Sequence, residues 1–308
     1  MASLEVLRPG LLTTVQDLGR WGWQAWGLSV SGPMDSRAHR AANALVGNPP
    51  DAATLEVTLV GPELRFDEER TVAVSGADFI LTVDNHLVAS AAAFRVPRGG
   101  RLRFGGHSRG ARAYLAVDGG IAVEPVFGSR STHVPSRIGG FLGRALVGGD
   151  RVPLGPPALG HERLSPPPPL DVPNGRARLR VLPSAHQDRF ERTALAHLLS
   201  KPYTVRHESD RMGYRLEGPH VHALSRGDQL SEPSPCGSLQ VPPGGEPILL
   251  MADCQTMGGY PVVATVISAD LGLAGQLGPG DAVTFSVCSR QEALAALIAQ
   301  ERPFMGGR

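Results

Sequence analysis

A mostly β fold with a few helices, divided into two barrel-like halves, is predicted by three observations. Short alternating segments bounded by glycine and proline recur along the chain, the pattern of half-buried strands. A proline-rich stretch, "LGPPALGHERLSPPPPLDVPNG" (154 to 175), interrupts them near the middle. A weak echo relates the ends of the two halves, because "ALVGGDRVPL" and "QLGPGDAVTF" each place a glycine-aspartate turn ahead of a strand.

The first half, residues 1–155, holds "TVAVSGADFILTV" (71 to 83), "RLRFGG" (101 to 106) and "ARAYLAVDGG" (111 to 120) as strand segments. Its one helix is "SGPMDSRAHRAANALVGN", with Pro33 at the start and Gly47 at the end. Met34, Ala38, Ala41, Ala42 and Leu45 share a face that should dock on a sheet. Residues 156–175 are predicted to be a linker, since proline lacks an amide hydrogen and fixes its own backbone angle. The second half, residues 176–308, has strands in "PVVATVIS" (261 to 268) and "AVTFSVC" (282 to 288) and two helices. "DRFERTALAHLLS" (188 to 200) carries Phe190, Ala194, Leu195 and Leu198 at helical spacing, and "SRQEALAALIAQ" opens with Ser289 and Glu292 in capping-box spacing.

With 308 residues, 42% of them hydrophobic, and a formal charge of +1, the chain can bury a sizeable core and is long enough for two domains. No apolar run of about 18 residues exists to cross a bilayer, and "MASLEVLRPG" lacks the pattern of a signal peptide. We expect no membrane association and a cytoplasmic location. Cys236, Cys254 and Cys288 are odd in number and form no C-x-x-C pair, which suits reduced thiols. The near-zero charge gives no reason to expect nucleic acid. Lys201 is the only lysine, so nearly all positive charge is arginine, which cannot serve as a nucleophile or Schiff-base amine. No phosphate loop of the G-x-x-x-x-G-K-[ST] type occurs, nor a Met-Lys-Met setting for biotin. ATP or biotin chemistry would need other chains.

Five motifs carry polar chemistry. "GHSRG" (106 to 110) matches the nucleophile elbow, but a strand follows where that motif needs a helix, so Ser108 reads as a hairpin turn. "HVH" would place His220 and His222 on one face of a strand; without a third ligand, solvent-facing histidines are expected and no metal site. "TTVQDLGRWGWQAWGLSVSGPMD" (13 to 35) clusters Gln16, Asp17 and Arg20 near three tryptophans. It ends at a helix start, where Ser31, Gly32 and Asp35 either frame an anion site or form an N-cap. "ESDRMGYRLEGP" (208 to 219) puts Asp210 and Arg211 before a glycine; the arginine either clamps a substrate carboxylate or pairs internally. "ADCQTMGGYP" (252 to 261) places Asp253, Gln255 and Thr256 ahead of Gly258, Gly259 and Tyr260, as a site or as a tight turn.

Together, "GLLTTVQDLGRWGW", "SGPMDSRAHRAANALVGN", "TLEVTLVGPELRF", "GARAYLAVDGGI", "GSRST", "GGFLGRAL", "SDRMGYRLEGP", "GSLQVPP" and "QTMGGYPVVATVISADL" resemble the carboxyltransferase subdomain family. That family includes allophanate hydrolase subunit 2, the KipA protein and the C-type subunit of prokaryotic 5-oxoprolinase. The resemblance implies two cyclophilin-like β-barrel domains and a partner of the KipI type, which is the B-type subunit of 5-oxoprolinase. The favoured implication is an ATP-dependent lactam hydrolase that cleaves 5-oxoproline to glutamate. It would work as a hetero-oligomer with that KipI-like chain and a lactam-utilisation protein, the A-type subunit. The alternatives are a carboxyltransferase acting on urea or a similar amide, with biotin on another chain, and a KipA-like, non-enzymatic antagonist of a KipI-like kinase inhibitor. On residue type and family position, the catalytic candidates are Asp17, Arg20, Arg211, Asp253, Gln255 and Thr256. The substrate-binding candidates are Gln16, Ser31, Gly32, Asp35, Asp210, Gln240, Gly258, Gly259 and Tyr260. Arg20 or Arg211 and the amides of Gly258 and Gly259 would hold developing charge, and Asp17 or Asp253 would manage the proton. The chain departs from the pattern of the family it resembles at Ser184, Ala185 and His186 and at Cys254, Met257 and Val262, which the resemblance implies bear on substrate more than on fold.

Overall fold

A computed structural model describes residues 2–157, 170–224 and 230–305. Of these, the residues up to Arg20 and from Ser31 to Val172 form one compact unit, while Trp21–Val30 joins Pro173 onward in a second. Most of the predicted linker lies outside the described residues. Strands dominate both units, as expected, with a few helices between them.

The first unit begins with β1 (Ser3–Arg8) and β2 (Leu12–Gln16), followed by helix α1 (Ser36–Val46). Then come β3 (Thr54–Thr58), β4 (Glu63–Phe66), β5 (Arg70–Gly76), β6 (Phe79–Val83), β7 (His86–Val88), β8 (Ala93–Val96), β9 (Arg101–His107), β10 (Arg112–Val117) and β11 (Arg151–Pro153). They form two sheets, ordered β11-β1-β4-β9-β6-β7 and β2-β3-β10-β5-β8. Their facing apolar sides share one core: Leu4, Val6, Leu64, Phe66 and Leu102 from the first sheet meet Val15, Leu55, Val57, Val74 and Leu115 from the second. Strands β3 and β10 are buried at every residue rather than at alternate ones. The reason is α1, whose Ala38 and Ala42 pack on Tyr114 and Ala116 and so cover the far side of that sheet. Ser108 lies between β9 and β10, its amide bonded to the Asp78 carbonyl, which is the turn role expected of it.

The second unit contains β12 (Arg176–Pro183), α2 (Ala194–Ser200), β13 (Tyr203–Val205), β14 (Gly213–Glu217), β15 (Glu232–Pro233), β16 (Ser238–Gln240) and β17 (Ile248–Leu250). It continues through β18 (Met257–Gly258), β19 (Val262–Val266), α3 (Ser268–Gly275), β20 (Ala282–Val287) and α4 (Arg290–Met305). Seven strands close a barrel in the order β12-β19-β16-β17-β14-β13-β20, and β15 pairs separately with β18. Closure runs through the parallel pairing of β12 with β20; the other barrel ladders are antiparallel.

Local chemistry explains several outcomes. The capping box at Ser289 and Glu292 forms, with Ser289 N 2.7 Å from Glu292 Oε2 and Glu292 N 3.2 Å from Ser289 Oγ. The two echoed glycine-aspartate turns have the same wiring: Asp150 Oδ2 accepts from Val147 N and Asp281 Oδ2 from Gly278 N, each at 2.8 Å. Gly149 and Gly280 both take left-handed angles, φ 91° and 88°. The helix expected over 188–200 is cut to its second half. Phe190 is extended, with φ −124° and ψ 158°, and bridges to Ala223, so helical periodicity yields to a sheet-like contact. "HVH" is irregular rather than a strand: the Val221 amide bonds to Gly245 O, and His220 and His222 are both exposed. Among the described residues no helix is long and apolar enough to cross a membrane, and no group of three or more His, Cys, Asp or Glu could hold a metal.

Candidate functional site

Two polar clusters contain the predicted residues, one in each unit. In the first, β2 delivers Gln16 and Asp17 to the "GSRST" loop, 112 to 116 residues further along the chain. Asp17 Oδ1 accepts from Gly19 N at 2.9 Å, Ser129 Oγ at 2.6 Å and Ser131 Oγ at 2.7 Å, and Oδ2 accepts from Arg130 N. Burial alone would raise its pKa, but the hydrogen bonds from Ser129, Ser131, Arg130 and Gly19 outweigh that and hold it below the ordinary value. An ionised carboxylate engaged on both oxygens is an anchor for the loop and is poorly placed to manage a proton. Gln16 lies beside it, with Nε2 3.1 Å from both Thr14 Oγ1 and the Thr132 carbonyl.

Arg20, 2% exposed, donates from Nη1 to Ser31 Oγ at 3.2 Å and from Nη2 to the Ser131 carbonyl. A side chain at Gly139 would put a Cβ 2.5 Å from Arg20 Nη2, so that close approach requires glycine. Ser31 itself sits at φ 59°, a left-handed angle that a non-glycine residue adopts at some cost. A Cβ on Gly32 would lie 3.2 Å from Gly19 N, which ties the two ends of the segment together. The start of α1 is a cap. Asp35 Oδ1 accepts from Arg37 N at 3.1 Å and Ala38 N at 3.3 Å, so the anion at this N-terminus is the chain's own. Beneath it, buried Glu56 accepts from Tyr114 Oη at 2.7 Å and Met34 N at 2.9 Å, while Asp35 N donates to Tyr114 Oη at 2.8 Å. Ser129, Ser131, Gly139 and Glu56 carry no site role in the sequence; they lie in "GSRST", "GGFLGRAL" and "TLEVTLVGPELRF", stretches that bear only on the family resemblance.

The second cluster sits where β17 runs into the loop before β18. Arg211 and Asp253, 5% and 1% exposed, form a bidentate pair with Nε to Oδ2 at 2.9 Å and Nη2 to Oδ1 at 3.0 Å. The Asp253 amide also donates to Arg211 O at 2.8 Å. Asp253, from 42 residues away, is therefore an internal partner of Arg211. Asp210 closes the turn ahead of β14, its Oδ1 accepting from Met212 N at 2.8 Å and Gly213 N at 3.2 Å. Above the buried pair, Gln255 and Thr256 are half-buried and Tyr260 is 44% exposed. Ser234 N donates to Thr256 O at 2.9 Å, and Gln255 Nε2 lies 3.4 Å from Gln240 Oε1. Gly258 and Gly259 are not among the residues at positive φ, so freedom of backbone angle is not what requires glycine here. Close approach is the reason at Gly258, where a Cβ would stand 2.4 Å from Gln240 Nε2 and 2.7 Å from Ser234 Oγ.

The segment holding all three tryptophans packs into this second unit. Ser29 Oγ donates to the Cys254 carbonyl at 2.8 Å, inside the "ADCQT" loop itself. Trp21 and Trp26 are 69% and 80% exposed.

The chain belongs to the family "Carboxyltransferase domain, subdomain A and B", whose model matches residues 26–287. It is 38% identical over 301 residues to the C-type subunit of the Escherichia coli 5-oxoprolinase, covering 98% of this chain and 96% of that one. It is 34% identical to the urea amidolyase of Lachancea kluyveri over 94% of this chain, which spans only 17% of that larger protein. The crystal structure of the K. lactis urea amidolyase superposes with a TM-score of 0.91 at 32% identity, over 97% of this chain and 19% of that one.

Proposed function

We propose that this chain is the C-type subunit of an ATP-dependent 5-oxoprolinase complex. It would act with a KipI-like B-type subunit and a lactam-utilisation protein of the A type to open 5-oxoproline to glutamate. The observation that carries the reading is reciprocal coverage: 98% of this chain aligns with 96% of a C-type 5-oxoprolinase subunit at 38% identity. The urea amidolyase match accounts for only 17% of that protein's length, so it supports the fold and an amide substrate rather than the whole reaction.

A lactam resists attack because its nitrogen lone pair is delocalised into the carbonyl, and catalysis must draw electron density onto the oxygen. In this reading Gln255, Thr256, Tyr260 and the main chain of Gly258 and Gly259 touch the substrate. Arg211 and Asp253 are positioning residues that hold the loop from below. Gln16, Asp17, Arg20, Ser31, Gly32 and Asp35 play the corresponding supporting part in the first unit. The start of α1 already carries the Asp35 carboxylate, which would repel a phosphate there. Lys201, the only lysine, stands in "SKPY", no setting for biotin. ATP and biotin are assigned to other chains, and no step on this chain runs through them.

The test is co-expression of the three chains, followed by measurement of glutamate formed from 5-oxoproline with ATP. Turnover that requires this chain is expected. A complex of folded chains without activity overturns the proposal, and partner binding without turnover would favour the regulatory alternative.

A further inference from the structure

A hydrogen-bonded chain of three side chains ends at the half-buried Gln255. Ser234 Oγ lies 3.2 Å from the Glu232 carbonyl, which can only accept, so the serine donates to it and offers its lone pairs elsewhere. Gln240, 2% exposed, then donates from Nε2 to Ser234 Oγ at 3.1 Å. That fixes which way its amide faces, turning Gln240 Oε1 toward Gln255 Nε2 at 3.4 Å. Gly258 closes the arrangement, since any side chain there would collide with the Gln240 amide. The amide of Gln255 is thereby oriented as well: its NH2 end faces the buried Gln240, which leaves Oε1 as the acceptor end of this half-buried side chain.

We propose that Gln255 is a specificity-determining residue that accepts a hydrogen bond from the N–H of the substrate amide, and that Ser234 and Gln240 are positioning residues that set its polarity. The inference rests on the amide-opening reading above and deepens it. It assigns the substrate class as amides that keep at least one N–H, and it excludes fully N-substituted lactams. A site built around an acceptor rejects a ligand lacking the donor, because the acceptor loses its water and gains no partner.

The test compares 5-oxoproline with 1-methyl-5-oxoproline on the assembled complex, reading kcat and KM separately for each. Wild-type protein is expected to favour the N–H substrate by roughly 100-fold or more in kcat/KM. Gln255→Leu and Ser234→Ala should each reduce kcat/KM for 5-oxoproline by roughly 10- to 100-fold and narrow the preference over the methylated compound. Ser234→Thr keeps the hydroxyl and should restore the preference. An active complex whose preference is unchanged in both Gln255→Leu and Ser234→Ala overturns the inference while leaving the functional proposal standing. A folded wild-type complex inactive on 5-oxoproline overturns the functional proposal and the inference with it.

Discussion

His39 is wholly enclosed, with Nδ1 2.9 Å from Thr54 Oγ1 and Nε2 3.1 Å from the Pro50 carbonyl. Burial pushes its pKa down from 6.5 to about 4, against the opposing pull of Asp17, so the ring is neutral in the native protein. Its native value lies below its unfolded one, so the stability it contributes is complete above pH 6.5 and lost as the pH falls toward about 4. Over that window the loss is on the order of 3 kcal/mol. Urea denaturation at pH 7 and pH 4.5 should show it, and His39→Gln should flatten the dependence. Asp17 acts in a separate, more acidic window: its lowered value means that its contribution is present above 3.8 and disappears below. At this scale residue type was legible and partnership was not. Asp17 and Asp253 stand out in the sequence as acids beside glycine-bearing loops. Nothing local marks Ser129, Ser131 or Arg211 as what they bond, because those contacts span 112, 114 and 42 residues.

Helix α1 shows how far an element can be read from its own sequence. Its apolar alanine face and its left-handed Gly47 at φ 78° are local properties that appear where the pattern placed them, while the helix begins at Ser36 behind an Asp35 cap rather than at Pro33. Asp35 supplies two bonds to the first turn, so Asp35→Ala should cost about 1–2 kcal/mol, measured as a lower urea midpoint, and Asp35→Asn less. Elements decided by their neighbours were harder to read. The helix expected over 188–200 lost its first turns to the Phe190–Ala223 bridge. Helix α3 was not anticipated in "SADLGLAG", where two glycines weaken the intrinsic preference for helix. Packing stabilises it instead, since Ile267 and Ala269 are buried against Cys288, Leu182 and two alanines of α4.

For the molecule as a whole, the division into units departs from the order of the chain. Residues 21–30 leave the first unit and are built into the second, where Ser29 meets a loop 225 positions away. Replacing Ser29 with alanine leaves the Cys254 carbonyl without that bond, at a cost of about 1 kcal/mol. All three tryptophans lie between positions 21 and 26, so acrylamide quenching of fluorescence reports on this segment alone. Quenching is expected to increase in Ser29→Ala while far-UV circular dichroism stays unchanged; equal quenching in both proteins would show that the bond does not hold the segment.

The sequence by itself determined the β-rich class, the turn and cap chemistry and the set of residues from which a site would be drawn, because periodicity, capping and glycine angles act over a few residues. Tertiary structure decided which sheet closes into a barrel, which unit owns the tryptophan segment, and that Arg211 pairs with Asp253 while the Gln255 amide meets the buried Gln240. Those outcomes depend on contacts between residues tens to hundreds of positions apart, whose geometry is set only when the chain has closed on itself.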